Sequence, residues 1–412
     1  MFISVCVLGR QPAVGLAELE SLYGSDKLNP IGHEAVLVDV DPCLLAFDRL
    51  GGSQKFCKTL TELNTADWPT IEKFLLEVSP EHSQRMPEGK MRLGLSLYGF
   101  NVPLKQIEIT ALRLKKGIKT TGRNVRVVPN NTDELSTAQV IHNQLTGPTG
   151  WELVFIRNGT KTLIAQTVKV QDISSYTRRD RDRPKRDARV GMLPPKLAQI
   201  IINLAVGELP EDVKQSICDI PAGQPIPAPD FSHIHVLDPF CGTGVILQEA
   251  LLMGYPVAGT DLEQRMVEYS KANLDWLTST YRLSANSYQL AVGDATSHKW
   301  EDFTTIASEA YLGRPFTSPP SPQILTQTIQ EVNTITKKFL HNLAQQTKPG
   351  LRICLALPAW YTNSGFKHLP TLANLTELGY NRVSFVHAAE ADLVYLRPGQ
   401  IVGRELTVLT RI

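Results

Sequence analysis

The chain has 412 residues, 42% of them hydrophobic, and a formal net charge of +1. That length points to two or three domains with a sizeable buried core. The charge balance argues neither for nor against a polyanionic partner, and no apolar run reaches the roughly 18 residues of a membrane span. Six cysteines (Cys6, Cys43, Cys57, Cys218, Cys241, Cys354) are scattered without a CxxC. This disfavours a metal site or a disulfide framework and fits a reducing, cytoplasmic setting.

Residues 1–80 alternate short apolar runs with helical ones. Phe2–Leu8 and Ala35–Val40 are expected as strands, and Ala13–Tyr23, Pro42–Leu50 and Ile71–Val78 as helices. Such interleaving predicts a small α+β module without chemistry of its own. Residues 81–177 form a second module. Strands are expected at Met91–Leu97, Arg123–Val128, Trp151–Ile156 and Thr162–Val168, the last two joined by the hairpin signal Asn158-Gly159. Helices are expected at Leu104–Lys116 and Glu134–Leu145, the second capped by Thr132-Asp133. Between Ile109 and Thr132 every charged residue is basic: Arg113, Lys115, Lys116, Lys119, Arg123 and Arg126. A solvated helix face accounts for such a run, and so does a phosphate-binding surface.

Residues 178–232 read as a charged linker (Arg178 to Asp187), a helix opened by Leu193-Pro194-Pro195-Lys196 and running to about Val206, and a Pro-rich loop. From residue 233 to 412 strands and helices alternate. Strands are expected at Ile234–Leu237, Pro256–Thr260, Tyr288–Val292, Phe303–Ala307, Leu351–Leu357, Asn381–His387 and Ile401–Leu409, with helices at Val245–Met253, Glu263–Leu277 and Gln323–Gln346. This is an α/β pattern: a parallel sheet with crossover helices and an antiparallel end.

Three acids close three successive strands here: Asp238, Asp261 and Asp294. Ligands of such sheets bind at the carboxyl ends of the strands. Asp238-Pro239-Phe240-Cys241-Gly242-Thr243-Gly244 is a tight glycine turn leading into a helix, but an acid precedes the glycines. An acid there repels a pyrophosphate and attracts an amino group and a sulfonium, which favours S-adenosylmethionine over a dinucleotide. Asp261 can accept from both hydroxyls of a ribose. Asp294 can read an adenine amine, with Ala295 offering a backbone N–H.

The stretch Asp238–Gly244 resembles motif I of the amino-group methyltransferases. Asp261 resembles their ribose-binding acid, and Gly293-Asp294-Ala295 their adenine-binding motif. Lys185-Arg186-Asp187 and Met192 to Ala198 resemble the helix ahead of motif I in the THUMP-containing tRNA guanine-N2 methyltransferases. Arg123–Val128 with Leu135-Ser136-Thr137-Ala138 is similar to part of a THUMP domain. The resemblance covers about residues 90 to 412. It implies a Rossmann-like class I methyltransferase domain with a seven-stranded mixed sheet of order 3-2-1-4-5-7-6, fed tRNA by the modules ahead of it. The cofactor-binding set it implies is Asp238, Phe240, Gly242, Gly244, Asp261, Leu262, Asp294 and Ala295.

One motif departs from the pattern. After its fourth strand the family carries Asp or Asn, Pro-Pro and an aromatic; this chain does not. Ser308-Glu309-Ala310-Tyr311 follows a strand candidate and offers an acid and an aromatic. Ser318-Pro319-Pro320-Ser321 has the double proline but neither of those groups. The first is favoured, with Glu309 accepting from the exocyclic amine and Tyr311 stacking on the base; a helix-cap acid and a packed tyrosine are the structural alternative. Two other functions stay open: an amino methyltransferase of DNA or rRNA, and an RNA-binding homologue without catalysis.

Overall fold

The computed structural model describes residues 4–40, 45–187, 193–209, 231–283 and 288–412. The chain divides into two compact units. The first holds Met1–Pro12, Asp26–Asp48 and Ser53–Ile173; the second holds Ala13–Ser25, Arg49–Gly52 and Ser174–Ile412.

The first unit is built on β1 (Ser4–Leu8), β2 (Leu28–Ile31), β3 (Ala35–Val38), β4 (Ser53–Leu63), β5 (Met91–Tyr98), β6 (Val125–Val127), β7 (Gly150–Asn158) and β8 (Lys161–Val170). They form one eight-stranded sheet, in the order β2-β3-β1-β4-β8-β7-β5-β6. Its helices are α2 (Trp68–Gln84), α3 (Leu104–Lys119) and α4 (Thr137–His142); α1 (Pro12–Tyr23) belongs almost wholly to the second unit. Leu93, Leu95, Trp151 and Phe155 of the sheet pack against Ile71, Leu75, Ile107 and Leu114 of α2 and α3.

Several expectations are corrected in this unit. The expected boundary at residue 80 falls inside α2, which runs on through Pro80 to Gln84. The Arg123 guanidinium donates to the carbonyls of Ser83, Met86 and Pro87, satisfying acceptors that a helix end leaves open. Helix α4 starts at Thr137 because Ser136 and Gln139 form a capping box, later than Thr132-Asp133 would have it. Strand β4 had no counterpart in the sequence reading. It carries Lys55 at 1% exposure, where Nζ pairs with Glu152 and donates to the Leu135 carbonyl at 2.8 Å. The helix expected at Pro42–Leu50 lies partly outside the described residues, and its described part holds only a 3-10 turn, Phe47–Arg49.

The second unit has α5 (Ile173–Arg181), α6 (Pro195–Val206), β9 (Val236–Asp238), α7 (Val245–Leu252), β10 (Val257–Asp261), α8 (Gln264–Tyr281), β11 (Tyr288–Val292), β12 (Thr305–Glu309), α9 (Pro322–Ala344), β13 (Arg352–Thr362), β14 (Gly365–Lys367), β15 (Tyr380–Arg382), β16 (Val394–Tyr395) and β17 (Val402–Arg411). The sheet order β11-β10-β9-β12-β13-β17-β15 is the expected 3-2-1-4-5-7-6, with the short β14 and β16 added beside β13 and β17. Strands β9 to β13 pair in parallel; β17 runs antiparallel between β13 and β15. The expected linker is helical up to Arg181, and Arg179 meets Glu249 of α7 through two hydrogen bonds of 2.7 and 3.1 Å. The strand expected at Asn381–His387 shortens to Tyr380–Arg382. Past it, the Val386 and His387 amides donate to the Glu20 carboxylate of α1 instead of to a strand. The Pro-rich loop expected up to Ser232 falls for the most part outside the described residues.

Helix α1 is thus part of the second unit. Its Glu18 is fully buried and accepts from Gly51 N at 2.9 Å, Gly52 N at 2.8 Å and Asn203 Nδ2 at 2.7 Å. The two glycines are required by close approach: a Cβ on Gly52 would lie 2.5 Å from the Gly15 Cα, and one on Gly51 2.0 Å from the Lys196 carbonyl. Burial pushes the Glu18 carboxyl from 4.5 up to about 7, and the three donors hold it back only in part. The folded state therefore binds a proton that the unfolded chain has released. Stability should fall as pH rises from about 4.5 to about 7 and level off above. Urea unfolding of the wild type and of Glu18→Gln at pH 5 and pH 7.5 checks this: the wild type should lose more stability over that interval than the variant, and equal losses would contradict it.

Candidate cofactor and methyl-transfer site

Strands β9, β10 and β11 lie side by side in parallel, so their carboxyl ends meet at one edge. Gly259 stands opposite Asp238, and Val292 opposite Asp261. This register brings Asp238 and Asp261 to the turn that follows β9, with Asp294 two residues past the end of β11.

The turn itself is braced from three sides. Gly242 (φ +52°) and Gly244 (φ +81°) adopt the left-handed backbone that disfavours a side chain. At Gly244 a Cβ would also come within 2.9 Å of Ser270 Oγ. The Gly242 amide donates to Asp261 Oδ2 at 2.9 Å. From the buried face of α8, Ser270 Oγ donates to the Gly242 carbonyl at 2.8 Å and Asn273 Nδ2 to the Thr243 carbonyl at 2.8 Å. Asn273 also holds the segment ahead of α6, accepting from Lys185 N at 2.8 Å and donating to Lys185 O at 2.9 Å. Lys185, which opens the stretch that resembles the family's pre-motif segment, is therefore tied to the turn through Asn273.

Asp238 is the buried centre of this edge, 2% exposed. Its Oδ1 accepts from Ser308 Oγ at 2.5 Å and from Phe240 N at 3.2 Å. Among the described residues none donates to Oδ2. Burial raises the carboxyl from 3.8 to about 7; the Ser308 and Phe240 bonds lower it, and the charges of Asp261 and Glu309 add to the rise. Asp261 is raised for the same first reason, burial, and accepts from the Glu263 and Gly242 amides. Asp294 is exposed and uses Oδ1 to hold Thr296 N and Oγ1, both at 2.8 Å. Ala295 is buried with its carbonyl bonded to Asn342, and Leu262 is 69% exposed beside Asp261. Phe240 is half-buried and sets its ring edge-on to Phe339, 5.1 Å between centroids.

Strand β12 ends at Glu309, one strand away from β9. The acid is thus the last strand residue and not part of a following loop. Its carboxylate pairs with Arg404 of β17. Tyr311 is 38% exposed and its hydroxyl donates to Glu331 at 3.2 Å. The other candidate, Ser318, stands in exposed coil ahead of α9, whose cap is Ser321. Four groups at this edge are not legible in the sequence. Ser308 adjoins the favoured acid but carries no signal of burial in its own identity. Ser270 and Asn273 sit inside a helical pattern, and Arg404 lies 95 residues from its partner.

The basic run divides on inspection. Arg113 pairs with Glu72 of α2, and Arg123 caps the end of α2, so both have internal partners. Lys116, Lys119 and Arg126 are exposed and Lys115 is half-exposed.

A buried carboxylate, two further acids and a turn whose glycines admit close approach suit a ligand with a positive charge, a diol and an amine. They do not suit a pyrophosphate. That set of acceptors suits S-adenosylmethionine, for which Asp238, Asp261, Asp294 and Ala295 are the candidate residues.

No known family profile matches the chain. It is similar to a curated tRNA (guanine(10)-N2)-dimethyltransferase of Methanothermobacter thermautotrophicus, 27% identical over 168 residues, which is 41% of this chain and 39% of that one. A protein of the same description from Pyrococcus abyssi is 40% identical over 88 residues, 20% of this chain and 25% of that one. The matched part thus spans well under half the length of either relative. Among solved structures, TrmN from Thermus thermophilus superposes over 100% of this chain and 99% of its own, with a TM-score of 0.51 and 14% identity. The chain has the fold of the class I methyltransferases, and over part of its length it is similar in sequence to tRNA guanine-N2 dimethyltransferases.

Proposed function

We propose that the protein is an S-adenosylmethionine-dependent methyltransferase acting on the exocyclic N2 amine of a guanosine in tRNA, in a cytoplasmic setting. The observation that carries the reading is the set of acids at the ends of β9, β10 and β11, with Asp238 buried behind the glycine turn. The partial similarity to two tRNA (guanine(10)-N2)-dimethyltransferases supports the choice of substrate.

The residues act by placement and by charge. When bound, the cofactor supplies an electrophilic methyl group and keeps the sulfur electron pair as the carbon leaves. Asp238 would hold the positively charged end of that molecule, beside the turn that Ser270 and Asn273 brace. An aromatic amine delocalises its lone pair into the ring and is a weak nucleophile. Glu309, accepting an N–H of that amine, draws the lone pair back onto nitrogen while the new N–C bond forms. The displaced proton leaves to water. Tyr311, with its ring partly exposed, stacks on the base turned out of its helix.

Incubation with labelled cofactor and bulk tRNA, followed by nucleoside analysis, tests this directly. Label in N2-methylguanosine or N2,N2-dimethylguanosine is expected; label confined to adenosine or cytidine would overturn the substrate. Glu309→Ala should lower kcat by about a hundredfold or more while leaving cofactor affinity unchanged, and full activity would remove Glu309 from the chemistry.

The same reading places tRNA phosphates on Lys115, Lys116, Lys119 and Arg126. Reversing the three lysines should weaken tRNA binding and flatten its dependence on log salt by about one unit for each phosphate no longer neutralised. Arg113→Met and Arg123→Met should instead lower the melting temperature and leave the salt slope unchanged. Equal tRNA affinity in the wild type and the lysine variant would take this surface out of the account.

A further inference from the structure

Glu309 does not stand alone at the end of β12. In the sheet, Ala356 of β13 lies opposite Glu309 on one side and opposite Leu406 of β17 on the other, and Pro358 lies opposite Arg404. Residues in register share a face, and so do residues two apart on one strand. Glu309, Ala356, Pro358 and Arg404 are therefore on the same face, with Glu309 and Arg404 set diagonally across β13. The two residues between them are small or flat, which leaves a path for a long side chain over the strand. Arg404 takes it: Nε donates to Glu309 Oε1. The side chains are 6% and 16% exposed, so the pair is largely shielded from water. Among the described residues nothing donates to Glu309 Oε2, and Arg404 meets no other carboxylate. Its chain neighbour Glu405 turns to the opposite face, where it meets Arg382 and His368.

We propose that Arg404 is the positioning residue for Glu309, fixing one carboxylate oxygen and leaving the other free to accept from the substrate amine. This rests on the reading of Glu309 given above. It also says how this chain does without the proline pair that stiffens the corresponding segment in the family it resembles. Ala310 and Tyr311 impose no such restraint on the backbone, and a guanidinium reaching across β13 holds the acid in its place. Held this way, Glu309 acts as an acceptor that localises the lone pair and not as the base that keeps the proton.

Other ionisable groups belong to the elements packed around it. They are Asp238 at the end of β9, whose charge interacts with that of Glu309, Arg352 and Cys354 on β13, and Tyr311 with Glu331 of α9. None of them reproduces the contact that Arg404 makes.

The test is Arg404→Met, with Arg404→Lys as the variant that keeps the charge. At saturating tRNA and cofactor, Arg404→Met should lose about tenfold or more in kcat. The KM for the cofactor should not change, and Arg404→Lys should recover part of the lost rate. A fall in kcat that tracks a lower melting temperature in both variants would mark a purely structural arginine and overturn the proposal, as would a wild-type kcat in Arg404→Met. A second readout needs no activity. In protein labelled with 13C-glutamate, the carboxyl signal that disappears in Glu309→Gln should move in Arg404→Met and return toward its wild-type position in Arg404→Lys. An unmoved signal overturns the proposal. A signal that moves in this way in a protein that transfers no methyl group to tRNA keeps the positioning role and overturns the methyltransferase reading instead.

Discussion

Burying a carboxyl group is costly unless it is neutralised or partnered, and Asp238 is buried at the end of β9 with, among the described residues, two donors on one of its oxygens. The second oxygen has no donor among the described residues. On the reading proposed above, a cation arriving at that oxygen would supply the missing partner, and the rest of the edge suits one. The parallel register sets Asp261 alongside, the Gly242 and Gly244 backbone clears the approach, and Ser270 and Asn273 of α8 hold the turn in shape from behind. Ser308 fastens β12 to the same acid, so the strand that carries Glu309 is tied to the strand that leads into the candidate cofactor site.

The amino-terminal part of the chain takes a share in that arrangement. Helix α1 reaches α6 through Glu18 and Asn203, reaches β13 through Ser21 and Arg352, and holds the loop after β15 through Glu20. Loss of α1 would therefore remove a support of the sheet that bears Glu309 and Arg404. The first unit is organised differently. Its own buried ion pair, Lys55 with Glu152, lies between sheet strands and is roofed by the Leu135 carbonyl and Ser96. Removing one member of such a pair leaves an uncompensated buried charge.

What the sequence disclosed follows from the range of the interactions involved. The alternation of strands and helices after residue 233 is set by local apolar runs, and the sheet order implied by the family resemblance is the order found. The acids Asp238, Asp261 and Asp294 could be read because each ends a short apolar run. Strand β4 was missed because a lysine interrupts its pattern, and nothing near Lys55 in sequence announces that Glu152 neutralises it. The partners of Arg113 and Arg123 stay hidden for the same reason: Glu72 and the end of α2 lie about 40 residues away. Arg404 is the extreme case. Its sequence neighbourhood is an ordinary buried strand, and only the register across β13 brings it to Glu309.

The central claim is that a cation binds against Asp238. Calorimetry of S-adenosylmethionine binding near pH 6.5, repeated in buffers of different ionisation enthalpy, counts the protons exchanged. Because the free carboxyl sits at about 7, a cation that requires its charged form should drive a proton off on binding, and the affinity should rise with pH until it levels above 7. Asp238→Asn should bind weakly and release none. Tight binding without proton release, or an Asp238→Asn variant that binds as the wild type does, would contradict the account.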